Sequence, residues 1–137
     1  MKGRTVLVAE DNEINMEIIT ELLQEYGIVV CQARNGKEAA DLFIHSNPFA
    51  FDAVLLDMQM PVMDGCQAAK EIRTSGRKDA EEIPIIAITA NAFPEDLAAT
   101  TAAGMDAHVE KPIDIQLLCK TIEDLIKRNR GNRDAIV

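Results

Sequence analysis

Ala53-Val54-Leu55-Leu56-Asp57-Met58-Gln59-Met60-Pro61-Val62-Met63-Asp64-Gly65 is the stretch that decides the fold. Its four leading apolar residues read as a strand buried on both faces, the mark of a central strand in a parallel sheet. Met60-Pro61 and Asp64-Gly65 are turn signals that end that strand at once. Between the apolar run and these turns stands Asp57, a carboxylate where an unpartnered charge is strongly unfavourable. It either caps the strand at its solvent mouth or meets a cation. Ligands of open α/β sheets bind at the carboxyl ends of the strands, so Asp57 needs a chemical reason.

Outward from this strand, short apolar runs alternate with stretches of helical period. Thr5–Ala9 reads as the first strand and Glu13–Glu25 as a helix. Ile14, Ile18 and Leu22, at four-residue steps beside Ile19 and Tyr26, define its expected core face. Gly27 follows as a C-cap glycine. A strand over 28–33, a helix over 37–46, the strand over 51–57 and a helix over 66–75 come next. Ile85–Thr89 is the fourth strand, 94–103 a helix, Ala107–Glu110 a short fifth strand and 114–129 a last amphipathic helix. Five consecutive β-α units imply one α/β domain, a parallel sheet with helices on both faces. The polar loop 76–82 is expected to tolerate insertion best, and 130–137 reads as a polar tail or linker stub.

The 137 residues carry a net charge of −9, with 47% hydrophobic and 27% charged residues, the balance of a soluble globular chain. An acidic chain without Trp and with one Tyr offers nucleic acid neither a basic face nor a stacking platform. No apolar stretch is long enough to span a bilayer and no signal peptide is visible, so a cytoplasmic location without membrane contact is expected. Cys31, Cys66 and Cys119 are widely spaced, odd in number and outside any metal-ligand pattern. They read as reduced thiols of a reducing compartment.

Four of the five strands end in, or run directly into, a residue fit for phosphate or metal chemistry: Glu10-Asp11, Asp57, Thr89 and Lys111. In a parallel sheet all carboxyl ends point the same way, so these residues converge at one edge. Crowded carboxylates raise each other's pKa unless a divalent cation neutralises them. Oxygen ligands with room for water suit Mg²⁺. Thr89 can donate a hydroxyl hydrogen bond to a phosphoryl oxygen, and Lys111 can pair with another as a point charge. Taken singly, each has a plainer explanation: Glu10-Asp11-Asn12 as a helix cap, Thr89 as a structural strand end, Lys111 as a solvated lysine. Their coincidence at equivalent strand ends argues for chemistry.

These residues, in this order and spacing, resemble the receiver domain of two-component response regulators. The resemblance covers about 4–129. It rests on Ala9-Glu10-Asp11-Asn12, on Leu55 through Gly65, on Ala87-Ile88-Thr89-Ala90-Asn91-Ala92 and on Glu110-Lys111-Pro112-Ile113-Asp114. It implies a (βα)5 flavodoxin-like, doubly wound sheet of strand order 2-1-3-4-5 and a phosphorylation switch rather than a classical enzyme. Asp57 would accept a phosphoryl group from a phosphohistidine. Asp11, Asp57 and the backbone carbonyl of Gln59 would ligate Mg²⁺, with Glu10 acting through water. Thr89 would be the switch hydroxyl and Lys111 the phosphoryl-contacting cation, with a cis Lys111-Pro112 bond. The usual switch aromatic is His108 here, and Gln59 and Asn91 stand where side chains affect phosphate lifetime.

Asp11 to Asn15 and Thr89 to Ala92 look especially like receiver domains of hybrid sensor histidine kinases. This implies a sensor kinase or histidine phosphotransfer domain as partner, docking through the first helix. The chain would be a monomer or weak dimer, stand-alone or part of a longer kinase. Met16 and Leu23, off the expected core face, are the expected partner surface. An aspartate-nucleophile phosphatase of similar fold would want an acid where Gln59 stands. A flavin carrier would want a phosphate-cradling loop where Glu10-Asp11-Asn12-Glu13 stands. The complete set of acid, hydroxyl and lysine argues against a degenerate receiver.

Overall fold

The computed structural model describes residues 3–60, 62–90 and 93–136, with the side chains of 130–136 outside that description. The β-α alternation is present throughout. In chain order the elements are β1 Thr5–Ala9, α1 Glu13–Glu25, β2 Val29–Ala33, α2 Gly36–His45, β3 Ala53–Asp57, α3 Gly65–Arg73, β4 Ile85–Thr89, α4 Pro94–Ala102, β5 Ala107–Glu110 and α5 Ile115–Ile136. The strands pair in parallel in the order β2-β1-β3-β4-β5, the doubly wound, flavodoxin-like arrangement. β3 begins at Ala53 because Asp52 is committed elsewhere. Its Oδ2 accepts from the Thr5 amide at 2.8 Å and its Oδ1 lies 3.5 Å from Arg4 Nη1. α5 continues through Ile136, so the backbone of 130–136 is helical. A single Gly131 costs a helix only about 1 kcal/mol, too little to end it.

Period-two alternation divides the strand side chains between two cores. Leu7, Ala9, Val54, Leu56, Ile85 and Ala87 meet α2 and α3 through Ala39, Ala40, Phe43, Ala68, Ala69 and Ile72. Val6, Val8, Leu55, Ile86 and Ile88 meet α1 and α5. The small residues facing each other on α2 and α3 allow close packing of those helices. α4 is the exception: Thr100 is its one buried residue, and its N-cap, Phe93, supplies no side-chain hydrogen bond.

On α1 the structure overturns the expected faces. Met16 is 7% and Leu23 0% exposed, whereas Ile14 and Ile18 are 68% and 49% exposed. Leu22 is half-buried. Met16 and Leu23 are therefore core and cannot form a partner surface. The apolar residues of this helix span about 200° at 100° per residue, wider than one buried stripe, so spacing alone does not orient it. The C-terminal cap does. Gly27, at φ 77, closes a Schellman turn in which the Ile28 amide donates to Leu23 O at 3.2 Å and the Gly27 amide to Gln24 O at 3.0 Å. That motif pairs the residue after the glycine with the one four before it, and Ile28 and Leu23 are buried in one cluster.

The loop 76–82 is also different from expectation. Arg77 Nη1 donates to the carbonyls of Phe43 (2.6 Å), Ile44 (2.8 Å) and Ser46 (2.6 Å), with its guanidinium 5.0 Å from the Phe43 ring centroid. It thereby satisfies the end of α2. Its Nε lies 3.3 Å from Asp79 Oδ1, and Asp79 Oδ2 accepts from the Phe49 amide at 2.9 Å. Ala80 is wholly buried. The loop is a plug, not an insertion site. Beside it, Arg73 donates to the carbonyls of Ala80 (2.9 Å), Ile83 (2.8 Å) and Gly104 (2.9 Å) and to Asp106 Oδ2 (2.9 Å). Breaking one partner of a buried ion pair strands the other, at a cost of about 3 kcal/mol or more. Arg77→Met is expected to lower the unfolding free energy in urea by about that amount. A loss under about 1 kcal/mol, the worth of an ordinary hydrogen bond, would refute the plug.

Candidate functional site

Local capping frees the acids that the sequence places after β1. Asn12, not Glu10 or Asp11, caps α1, its Oδ1 accepting from the Asn15 amide at 3.0 Å. Glu10 is held by the sheet: its amide donates to Ala33 O at 3.0 Å, and its Oε1 accepts from the Asn12 amide at 3.2 Å. The Glu10 side chain is thus folded inward, 2% exposed, while Asp11 stays exposed at the rim. Asp57 ends β3 at 5% exposure; its Oδ1 accepts from the Gln59 amide at 3.1 Å. Gly65 permits the close return of the chain, since a Cβ there would overlap the Asp57 carbonyl oxygen and lie 3.1 Å from its carbon. Thr89, 7% exposed, ends β4, and its carbonyl accepts from the Lys111 amide at 2.9 Å, joining the hydroxyl-bearing and lysine-bearing segments. The Lys111-Pro112 bond is cis.

These groups converge in a cleft of about 710 Å³ lined by Glu10, Asp11, Asp57, Gln59, Thr89 and Lys111. Carboxylate oxygens of Glu10, Asp11 and Asp57 lie within 4.8 Å of one another. Lys111 Nζ stands 3.1 Å from Asp57 Oδ2 and 3.3 Å from Glu10 Oε2. Apart from that charge contact, the buried Glu10 Oε2 has no hydrogen bond among the described residues. Burial, and then the neighbouring Asp57, push the Glu10 carboxyl from its ordinary 4.5 up to about 7. Burial pulls the Lys111 ammonium down, but Asp57 and Glu10 outweigh it and the net shift is up. A buried carboxylate oxygen whose one described partner is the Lys111 ammonium, beside two further carboxylates, is a donor set that fits Mg²⁺.

His108 lies on β5, exposed and outside the lining of this cleft. Asn91 falls outside the described residues. Sequence reasoning missed Cys66 and Phe93, both of which line the cleft. Cys66 stands one residue past the Gly65 that touches Asp57, a signal that was present in the sequence. Burial, followed by Asp64, raises the Cys66 thiol, which keeps it protonated and poorly nucleophilic. Phe93 offered no such signal, because its place depends on the path of the chain between β4 and α4.

The family profile of the response regulator receiver domain matches residues 6–123. The chain belongs to that family. Among curated relatives, this receiver domain is 35% identical over 125 residues to the peroxide stress-activated histidine kinase mak1 of Schizosaccharomyces pombe, covering 90% of this chain and 8% of that kinase. It is 32% identical to the polar-differentiation response regulator DivK of Brucella anthropi, covering 90% and 96% of the two chains. The receiver thus spans a small part of the histidine kinases it matches and nearly all of DivK. Among solved structures, the receiver domain of sensor histidine kinase PA1611 from Pseudomonas aeruginosa, with magnesium in its active site cleft, superposes with a TM-score of 0.81. The identity is 32%, over 91% of this chain and 98% of that one. The receiver domain of Ssk1 from Saccharomyces cerevisiae, solved with the histidine phosphotransfer protein Ypd1, gives 0.75 at 30% identity, over 87% and 86%. The chain is accordingly a receiver of two-component or phosphorelay signalling.

The raised Glu10 pKa has a definite sign. The folded receiver holds this proton more tightly than the unfolded chain, so the stabilisation is fully present below pH 4.5 and is lost as pH rises through about 7. The metal-free protein is expected to show this component in its melting temperature across that window. Glu10→Gln should remove it, and an unchanged pH profile in the variant would show that another group titrates.

Proposed function

We propose that Asp57 is the phospho-acceptor of this receiver, taking a phosphoryl group from a phosphohistidine with the help of Mg²⁺. The observation that carries the reading is the meeting of Asp57, Lys111 and the Glu10-Asp11 pair in one cleft, with Thr89 beside them. An Asp57 carboxylate oxygen attacks phosphorus, the P–O bond forms as the P–N bond to the imidazole breaks, and the imidazole leaves with the electron pair. Asp11, Asp57 and the Gln59 carbonyl would hold Mg²⁺, with Glu10 acting through water. The bound ion supplies neutralisation of the charge developing on the phosphoryl oxygens. Lys111 then exchanges its contact with Asp57 for one with a phosphoryl oxygen. The Thr89 hydroxyl donates to another, and His108 on β5 responds as the switch residue.

The phosphodonor is a sensor kinase or histidine phosphotransfer domain, and it docks on α1. The corrected surface for this is the exposed ridge of Ile14 and Ile18 with half-buried Leu22, beside the mouth of the cleft. The domain is 4–129, cytoplasmic and monomeric or weakly dimeric. Among the described residues no helix is long and apolar enough to cross a membrane.

Intact mass after incubation with Mg²⁺ and acetyl phosphate tests the core of this reading. A phosphate-sized gain is expected in the wild type and none in Asp57→Asn; no gain in either would overturn it. Ile14→Ser/Ile18→Ser should slow transfer from a phosphorylated histidine phosphotransfer protein while acetyl phosphate loading stays at the wild-type rate. Equal slowing of both reactions would remove the docking ridge.

A further inference from the structure

The segment between Asp57 and α3 is held in place by a residue that belongs to neither. Gly36 is the first residue of α2, buried against the β3–α3 loop. Its amide donates to Met63 O at 2.9 Å. A Cβ at this position would overlap the Met63 carbonyl oxygen and lie 2.8 Å from Asp64 O and 2.9 Å from the Met63 carbonyl carbon. These neighbours are backbone atoms, so no side-chain rotation can make room. Next to them Val62 sits at φ 69 and 79% exposed. The left-handed region is unfavourable for a β-branched residue, and an exposed side chain brings no packing to compensate. Something outside Val62 must hold it there, and among the described residues the Gly36–Met63 hydrogen bond adjoins it directly. On the far side, Asp64 caps α3 reciprocally with Gln67, at 2.9 and 3.1 Å. The loop is therefore pinned at Asp57, Met63 and Asp64, with Gln59 between the pins.

We propose that Gly36 is a positioning residue for the metal site: through Met63 it anchors the far end of the loop that follows Asp57 and hence the place of the Gln59 carbonyl relative to Asp57. The inference rests on the reading of that carbonyl as a Mg²⁺ ligand. Displacing the support of a metal ligand costs roughly tenfold or more in affinity. Gly36→Ala should weaken Mg²⁺ binding, followed by amide chemical shifts during titration with MgCl₂, roughly tenfold. In the metal-free spectrum it should move the resonances of Gln59 and Met63. Asn35→Ala is the control. It removes the cap of the same helix, a 2.8 Å acceptor for the Glu38 amide, without adding an atom near Met63. It should destabilise α2 and leave Mg²⁺ affinity unchanged.

A second measurement needs no variant. Coupling between two sites is reciprocal, so saturating Mg²⁺ must slow hydrogen exchange of the wild-type Gly36 amide beyond the slowing at Ala40 in the same helix. Equal slowing at both amides, or full Mg²⁺ affinity in a folded Gly36→Ala protein, overturns the proposal. A wild type that binds no Mg²⁺ would instead sink the reading of the metal site on which it rests.

Discussion

One ammonium set against two buried carboxylates governs the carboxyl edge of this sheet. Lys111 touches both Glu10 and Asp57, and Asp11 stands at the rim. Three carboxylates and one ammonium leave two negative charges, the deficit that one divalent cation cancels. Burial first, and then the neighbouring Asp57, push the Glu10 carboxyl up to about 7, and a proton there relieves the same deficit in part. Proton and cation are thus alternatives at one place. The sheet makes the crowding unavoidable, because parallel pairing delivers the ends of β1, β3 and β4 to the same edge.

The order of elements and the convergence of the site were legible because they rest on local signals. A wholly apolar four-residue run, a Met-Pro or Asp-Gly turn and an acid at a strand end each carry their meaning within a few residues. The failures have one cause in common: an interaction between segments distant in sequence. The stripe of Ile14, Ile18 and Leu22 was as regular as the true core row of Met16, Ile19 and Leu23. What separates them is the pairing of Leu23 with Ile28 across Gly27. The loop 76–82 looked permissive because its residues are polar. Arg77 is polar in order to reach three carbonyls at the end of α2, each more than thirty positions away in sequence. Polar composition marks a loop as solvated only when its side chains have no distant backbone to satisfy.

Glycines show the same limit from another side. Gly27 is readable as a helix stop, whereas Gly36 and Gly65 are needed for space that other segments occupy, the Met63 and Asp57 carbonyls respectively. Both open a helix, and both face the chain that runs between them. The two small-residue helix starts and the alanine-lined contact of α2 with α3 form a rigid bracket around the loop behind Asp57.

α4 lies at the opposite extreme. With one buried residue and no side-chain cap, it has little free energy holding it to the sheet, in contrast to the arginine-plugged, alanine-packed flank of α2 and α3. Native stability is distributed in such gradients, and the least protected unit opens first. A disturbance arriving at Thr89, where β4 hands the chain on towards α4, meets a stiff wall on one side and a loosely moored helix on the other. The molecule is anisotropic in compliance, and its softest direction leads away from the chemistry and towards the surface.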